Sequence, residues 1–139
     1  MMRVVVILLA AALAGCGTPQ PPLAISGLEV TKPIPGRPMS AGYLVITNNT
    51  DQAVLITAVE SPQFANVEIH ETTMRDGIAR MRELESLEVP ANGNVVLARG
   101  GKHLMLMRPG DLGDSVTLRF LSEDTLLLSV DYTFPKDKG

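Results

Sequence analysis

The sequence predicts a single all-β domain, either a sandwich or a barrel. Short runs rich in Val, Ile, Leu and Thr recur at roughly 8–12-residue intervals, with Gly, Pro, Asn and Asp between them. No long stretch keeps the 3.6-residue period of an amphipathic helix without a Gly or Pro interruption. The length of 139 residues also fits one domain.

Residues 1–15 predict a bacterial lipoprotein signal peptide. Arg3 precedes the apolar run Val4–Leu13, which is too short to span a bilayer as a finished helix. The run ends in Leu13-Ala14-Gly15-Cys16, which resembles a lipobox and predicts cleavage before Cys16, with lipid on its thiol. The alternatives are a free thiol or an uncleaved anchor. We therefore expect a periplasm-facing lipoprotein of the cell envelope, and Gly17 after the cysteine favours the outer membrane.

The remaining chain divides into three parts. Residues 16–22 form a lipidated, Pro-rich tether that would act as a semi-rigid spacer. Residues 23–135 form the predicted β domain, and residues 136–139 are a short polar tail.

The predicted strands follow from β-forming runs and the turns that bound them. Three prolines between residues 33 and 38 exclude a regular strand there. Asn48–Asp51 predicts a turn that joins two neighbouring strands as a hairpin, and Asp76-Gly77 is a strong two-residue hairpin signal. The predicted strands are residues 25–30, 42–47, 53–59, 67–74, 78–84, 87–90, 94–97, 102–107, 115–121 and 125–133.

Composition excludes several classes of function. The formal net charge is −3 and no run of Lys and Arg is present, which argues against nucleic acid as a partner. Neither a Gly-rich phosphate loop nor a catalytic triad context occurs, so no enzymatic activity is predicted. Cys16 is the only cysteine, so any soft-metal site in the domain must use Met and His.

The run Lys102–Met107 has two different faces if it is extended. Leu104 and Leu106 lie on one face, while His103, Met105 and Met107 lie on the other. Methionine is a common filler of cores, so packing alone would explain the second face. A nitrogen and two thioether sulfurs would equally suit a soft metal such as Cu(I).

The Asp76-Gly77 hairpin brings further donors of the same kind together. If these are the two loop residues, Met81 lies opposite Thr72, on the same face as His70 and Met74. His70 and Met81 are then diagonal neighbours, with backbones about 7–8 Å apart and side chains that can converge. Adding His103 and Met105 from the other strand gives two imidazoles and two thioethers.

This donor set narrows the choice of metal. Thioethers bind Mg²⁺ and Ca²⁺ poorly, and structural zinc prefers thiolates with histidine. Iron–sulfur clusters and blue-copper centres need cysteine, and Cys16 lies far away in the tether. Cu(I) is the best remaining fit.

The spacing resembles a known family. His70, Met81, His103 and Met105 match the H-x10-M-x21-H-x-M pattern of the periplasmic copper chaperones of the PCuAC (DUF461) family. The resemblance implies a cupredoxin-like Greek-key β-sandwich that binds copper, chiefly Cu(I), through these four residues. It also implies delivery to the copper site of a cytochrome oxidase, or to Sco-type assembly proteins. We expect a monomer that reaches the membrane through its lipid anchor.

Alternative functions remain open. The protein could instead be an envelope copper buffer or scavenger, or a β-sandwich interaction module without metal. Met74 and Met107 are possible auxiliary ligands, although packing is the favoured role for both, and Met39 is expected to lie in a loop.

Overall fold

The structure, a computed structural model, describes residues 17–136, and its regular elements are all β-strands. The predicted signal peptide and lipidation site lie outside the described residues. In the described part, no helix is long and apolar enough to span a membrane. The strands are β1 (Leu23–Val30), β2 (Met39–Asn48), β3 (Val54–Ile56), β4 (Ala58–Glu60), β5 (Phe64–Arg75), β6 (Ile78–Leu84), β7 (Leu87–Val89), β8 (Asn94–Leu97), β9 (Lys102–Pro109), β10 (Ser115–Ser122) and β11 (Thr125–Thr133).

The strands form one large antiparallel sheet and two smaller ones. The large sheet has the order β1-β2-β9-β5-β6, and β8 pairs with the part of β2 that lies beyond β9. The smaller sheets are β11-β10-β4 and the pair β3-β7. Apart from β1–β2 and β5–β6, neighbours in the large sheet are distant in sequence, because the chain leaves it for the other sheets and returns, as in Greek-key folds. The all-β prediction is confirmed.

The sheets enclose one hydrophobic core. Leu104 and Leu106 of β9 are fully buried, and Val116, Leu118 and Phe120 of β10 belong to the same cluster. Period-two alternation on β9 therefore assigns its leucines to the core and its histidine and methionines to the outer face of the large sheet. This outer face carries the predicted donors.

The predicted hairpin between residues 42–47 and 53–59 is wrong. β2 pairs with β1, β8 and β9, while residues 54–60 split into β3 and β4, which join the two smaller sheets. The Asn48 side chain explains why the chain leaves the large sheet after β2. Its buried amide donates to the carbonyls of Gln52 (2.7 Å) and Val89 (3.2 Å), and its oxygen accepts from the Thr50 backbone N–H (3.0 Å).

Candidate metal centre

The two histidines face each other across neighbouring strands. β5 and β9 pair so that His70 lies directly opposite His103, and their ring centroids are 5.9 Å apart. The side chains are shielded: His70 is 14% exposed and His103 is 6% exposed. Two imidazole rings are therefore close together on the outer face, above a closed apolar core.

The β5–β6 hairpin adds a thioether to this pair. Asp76 and Gly77 have φ angles of 52° and 75°, as a type I′ turn requires, and Thr72 lies opposite Met81. The register predicted from the sequence is confirmed. Met81 is 52% exposed, which is unusual for a methionine and leaves its sulfur open to solvent.

Met105 provides a second thioether on β9. It lies two residues from His103, opposite Glu68 on one side and Ala41 on the other. Met105 is half-buried, so its exposure is intermediate between that of the exposed Met81 and that of the buried His103. The four predicted donors thus occupy three adjacent strands of one face, and their role as ligands remains a prediction.

An open cavity of about 550 Å³ lies over this face. Met81, His103 and Met105 line it, together with Met39, whereas His70 lies outside the lining. Met39 is not in a loop as expected, because it begins β2 and pairs with Met107. The charged residues that line the cavity are all cations: Lys32, Arg37 and Arg99. The charged lining residues are therefore basic although the whole chain is acidic, and Arg99 also pairs with Glu29 at 2.7 Å.

His103 is held in one orientation by the backbone. Its Nδ1–H donates to the carbonyl of Gly101 at 3.1 Å, and the same carbonyl accepts the Thr72 backbone N–H at 3.0 Å. A carbonyl oxygen can only accept, so the proton sits on Nδ1 and the lone pair sits on Nε2. The Nε2 of His103 is therefore the nitrogen available to a metal.

His70 is held by a carboxylate instead. Its Nε2 lies 2.7 Å from Oε2 of Glu68, while its Nδ1 is buried without a hydrogen-bond partner. Asn66 donates to the other oxygen of Glu68 at 2.7 Å. The sequence prediction did not single out Glu68, although a carboxylate two residues from His70 on one strand shares its face.

The other carboxylate next to His70 has a different role. Glu71 points to the opposite face by alternation, and it contacts Arg82 (2.7 Å) and Lys102 (3.3 Å). The hydrogen bond from Arg82 is the main cause that lowers the pKa of Glu71, and the hydrogen bond from Lys102 is the second. Glu71 therefore bridges β6 and β9 and is not a free donor for a metal.

The two auxiliary candidates occupy different environments. Met74 is 66% exposed near the hairpin turn, so it does not pack in the core. Met107 is half-buried and lies opposite Met39 and Asn66, one step beyond Met105. Neither side chain lines the cavity that contains His103.

The described carboxylates and histidines do not form a metal cluster by themselves. Within residues 17–136, no three His, Cys, Asp or Glu side chains come together in a way that could hold a metal. Imidazoles combined with thioethers form a donor set that favours a soft ion.

The fold is that of the PCuAC domains. It matches the copper-bound PCuAC domain from PmoF2 with a TM-score of 0.64 and 18% identity, covering 81% of this chain and 92% of that domain. The apo PCuAC domain from PmoF1 gives 0.65 and 20%, covering 82% and 93%. The Cu(I) form of DR1885 from Deinococcus radiodurans gives 0.59 and 27%, covering 93% and 87%.

The family is defined more narrowly by sequence. A family model described as "Putative lipoprotein LpqE-like" matches residues 23–133. A relative from Leifsonia xyli subsp. xyli (strain CTCB07) with a lipoprotein description is 31% identical over 133 residues, covering 85% of this chain and 80% of the relative. The chain belongs to the LpqE-like lipoprotein family. Its likeness to PCuAC domains, expected from the sequence, holds for the fold.

Proposed function

We propose that the protein is a copper chaperone that carries one Cu(I) ion as cargo between His70, Met81, His103 and Met105. One observation carries this proposal: the two histidines lie opposite each other on the outer face, with a thioether on either side. Such a neutral N2S2 donor set matches Cu(I). The copper-bound forms of two proteins with this fold support copper as the metal.

The geometry also favours transfer over permanent storage. The imidazoles are buried or nearly so, whereas Met81 is half exposed and lines the open cavity. An incoming ligand from a recipient can reach the metal from the Met81 side and replace one thioether at a time. Transfer by ligand exchange then needs no unfolding of the domain.

The charge around the cavity bears on the recipient. Lys32, Arg37 and Arg99 line the opening, and none of its lining residues is acidic. Opposite charge accelerates and orients the encounter of two proteins, so we expect an acidic recipient surface. The recipient suggested by the PCuAC resemblance is the copper site of a cytochrome oxidase or a Sco-type assembly protein.

We further propose that the protein works at the bacterial envelope, facing the periplasm and anchored by lipid on Cys16. Membership of a lipoprotein family supports the anchor. The Gly17 that follows the cysteine favours the outer membrane. Radiolabelled palmitate should be incorporated into the wild-type chain and not into Cys16→Ser, and equal labelling of the two would contradict the anchor.

A competition titration tests the copper site. The protein carrying Cys16→Ser, which removes the only thiol, is titrated with Cu(I) against a chromophoric chelator. We expect one equivalent of Cu(I) to bind. Met81→Leu and His103→Ala should each lower the affinity for Cu(I). Met74→Leu, an exposed methionine on the same hairpin, is the matched control. Absence of binding, or binding that neither variant alters, contradicts the proposal.

Deletion of the gene separates delivery from buffering. Loss of oxidase activity at low copper supports delivery. Sensitivity to excess copper with normal oxidase activity supports the alternative role as a buffer or scavenger. A protein that neither binds copper nor gains thermal stability from it would instead be a metal-free interaction module.

A further inference from the structure

Three polar side chains form a connected row on the outer face of β5. Asn66, Glu68 and His70 occupy alternate positions, so all three project from the same face. Asn66 Nδ2 donates to Glu68 Oε1, and His70 Nε2 lies against Glu68 Oε2, both at 2.7 Å. Both oxygens of Glu68 are thus engaged within its own strand.

The remaining ring nitrogen of His70 has no partner. Its Nδ1 is buried and makes no hydrogen bond, which is rare for a buried polar atom. A carboxylate can only accept, so the contact with Glu68 puts the ring proton on Nε2 and the lone pair on Nδ1. This lone pair belongs to a ring whose centroid lies 5.9 Å from that of His103, the other predicted imidazole ligand.

We propose that Glu68 is a positioning residue that fixes the tautomer of His70 and thereby dedicates its Nδ1 to Cu(I). This inference rests on the proposed function, in which His70 is a ligand. The two opposed histidines then use different nitrogens. His70 binds through Nδ1 while its Nε2–H donates to Glu68, and His103 binds through Nε2 while its Nδ1–H donates to the Gly101 carbonyl.

The carboxylate also strengthens its histidine as a donor. An N–H group that donates to a carboxylate makes the opposite nitrogen of the ring more basic, and removal of such partners typically weakens metal binding by about 10–100-fold. Glu68 itself is a poor ligand for Cu(I), because a carboxylate oxygen is hard and both of its oxygens are already occupied.

Two variants of Glu68 and one control separate this role from simple packing. Glu68→Leu removes the acceptor, whereas Glu68→Gln keeps an oxygen that can still accept from Nε2–H. Glu83→Leu is the matched control, because Glu83 lies opposite His70 on the other neighbouring strand, yet no hydrogen bond joins the two. The backbone amide NMR spectrum establishes that each variant is folded.

Nitrogen NMR of the copper-free protein provides the first test. Long-range ¹H–¹⁵N spectra at about pH 8, where imidazoles are mostly neutral, report which ring nitrogen carries the proton. We expect His70 to be protonated on Nε2 in the wild type, in Glu68→Gln and in Glu83→Leu. Glu68→Leu should give a mixture of tautomers. A Glu68→Leu spectrum identical to that of the wild type overturns the proposal.

Cu(I) provides the second test, since this d¹⁰ ion is diamagnetic and leaves the spectra readable. Its addition should shift the Nδ1 resonance of His70 and the Nε2 resonance of His103. Glu68→Leu should weaken binding about 10–100-fold, Glu68→Gln less, and Glu83→Leu not at all. A shift at His70 Nε2 would mean that copper displaces Glu68, which contradicts the inference. If the wild type binds no Cu(I), the proposed function fails, while the copper-free spectra still decide whether Glu68 sets the tautomer.

Discussion

The two histidine side chains are fixed by partners of different chemistry. A backbone carbonyl holds His103, and a side-chain carboxylate holds His70. The sequence indicated both residues because histidine is scarce in this chain and its spacing to methionine is distinctive. It did not indicate the partners, because Glu68 has the same residue type as several solvated glutamates, although its position two residues before His70 on a predicted strand puts both on one face.

The thioether of Met105 can be distinguished from that of Met107. Met105→Leu preserves side-chain volume and removes the sulfur, so we expect Cu(I) affinity to fall by about tenfold or more, which corresponds to about 1.4 kcal/mol. Met107→Leu should leave the affinity unchanged, because Met107 lies one step beyond the cavity. Chelator competition on both variants measures this. An equal loss in the two variants would assign Met107 to the site.

Asn48 is expected to matter for stability and not for copper. Its amide joins the loop after β2 to β7 and is 1% exposed. Asn48→Ala leaves the Val89 carbonyl without this donor, so we expect a loss of about 2–4 kcal/mol in the free energy of unfolding. Urea denaturation measures the loss. A loss below about 0.5 kcal/mol, the range of neutral surface changes, would show that the network is dispensable.

Strand pairing was predictable where the turn is short and local. The Asp76-Gly77 signal sets the register of β5 and β6 because a two-residue loop permits one pairing. The pairing of β5 with β9 was not predictable in the same way. No short turn connects them, and their register follows from burying Ile69 opposite Leu104 in the core. The juxtaposition of the two histidines therefore emerges only in the folded sheet.

The turn of the β5–β6 hairpin gives a test of how Met81 is positioned. A β-branched side chain at Gly77 is strained at a φ of 75°, although nothing lies within 4 Å of its added Cβ. We expect Gly77→Val to weaken Cu(I) binding several-fold, because the register that presents Met81 is loosened.

Gly113→Val is the control for this prediction. Gly113 also has a positive φ of 54° and open space around it, but it lies in the loop between β9 and β10. This variant should show a similar loss of stability with unchanged copper affinity. Equal copper affinities in the two variants would argue against a role for the hairpin turn.

The core of the whole domain is complete without metal. Its buried apolar residues come from the large sheet and from both smaller sheets, and none of them is a predicted ligand. We therefore expect the copper-free protein to melt cooperatively, and Cu(I) at 100 times its dissociation constant to add about 2.7 kcal/mol of stability. Thermal melts with and without Cu(I) measure this, and His103→Ala should abolish the increase. A copper-free chain that is unfolded would show that the metal is structural.

The β5–β6 hairpin extends past the sheet that supports it. β9 pairs with β5 only as far as Glu71, whereas β6 pairs with β5 as far as Arg75. The residues of β6 are exposed except Leu84. Such a two-stranded ribbon has little apolar contact to hold it, so its local opening should need far less free energy than opening β9. Amide hydrogen exchange should be fast around Met81 and slow around His103 and Met105. One end of the site would then open many times for each time the domain unfolds.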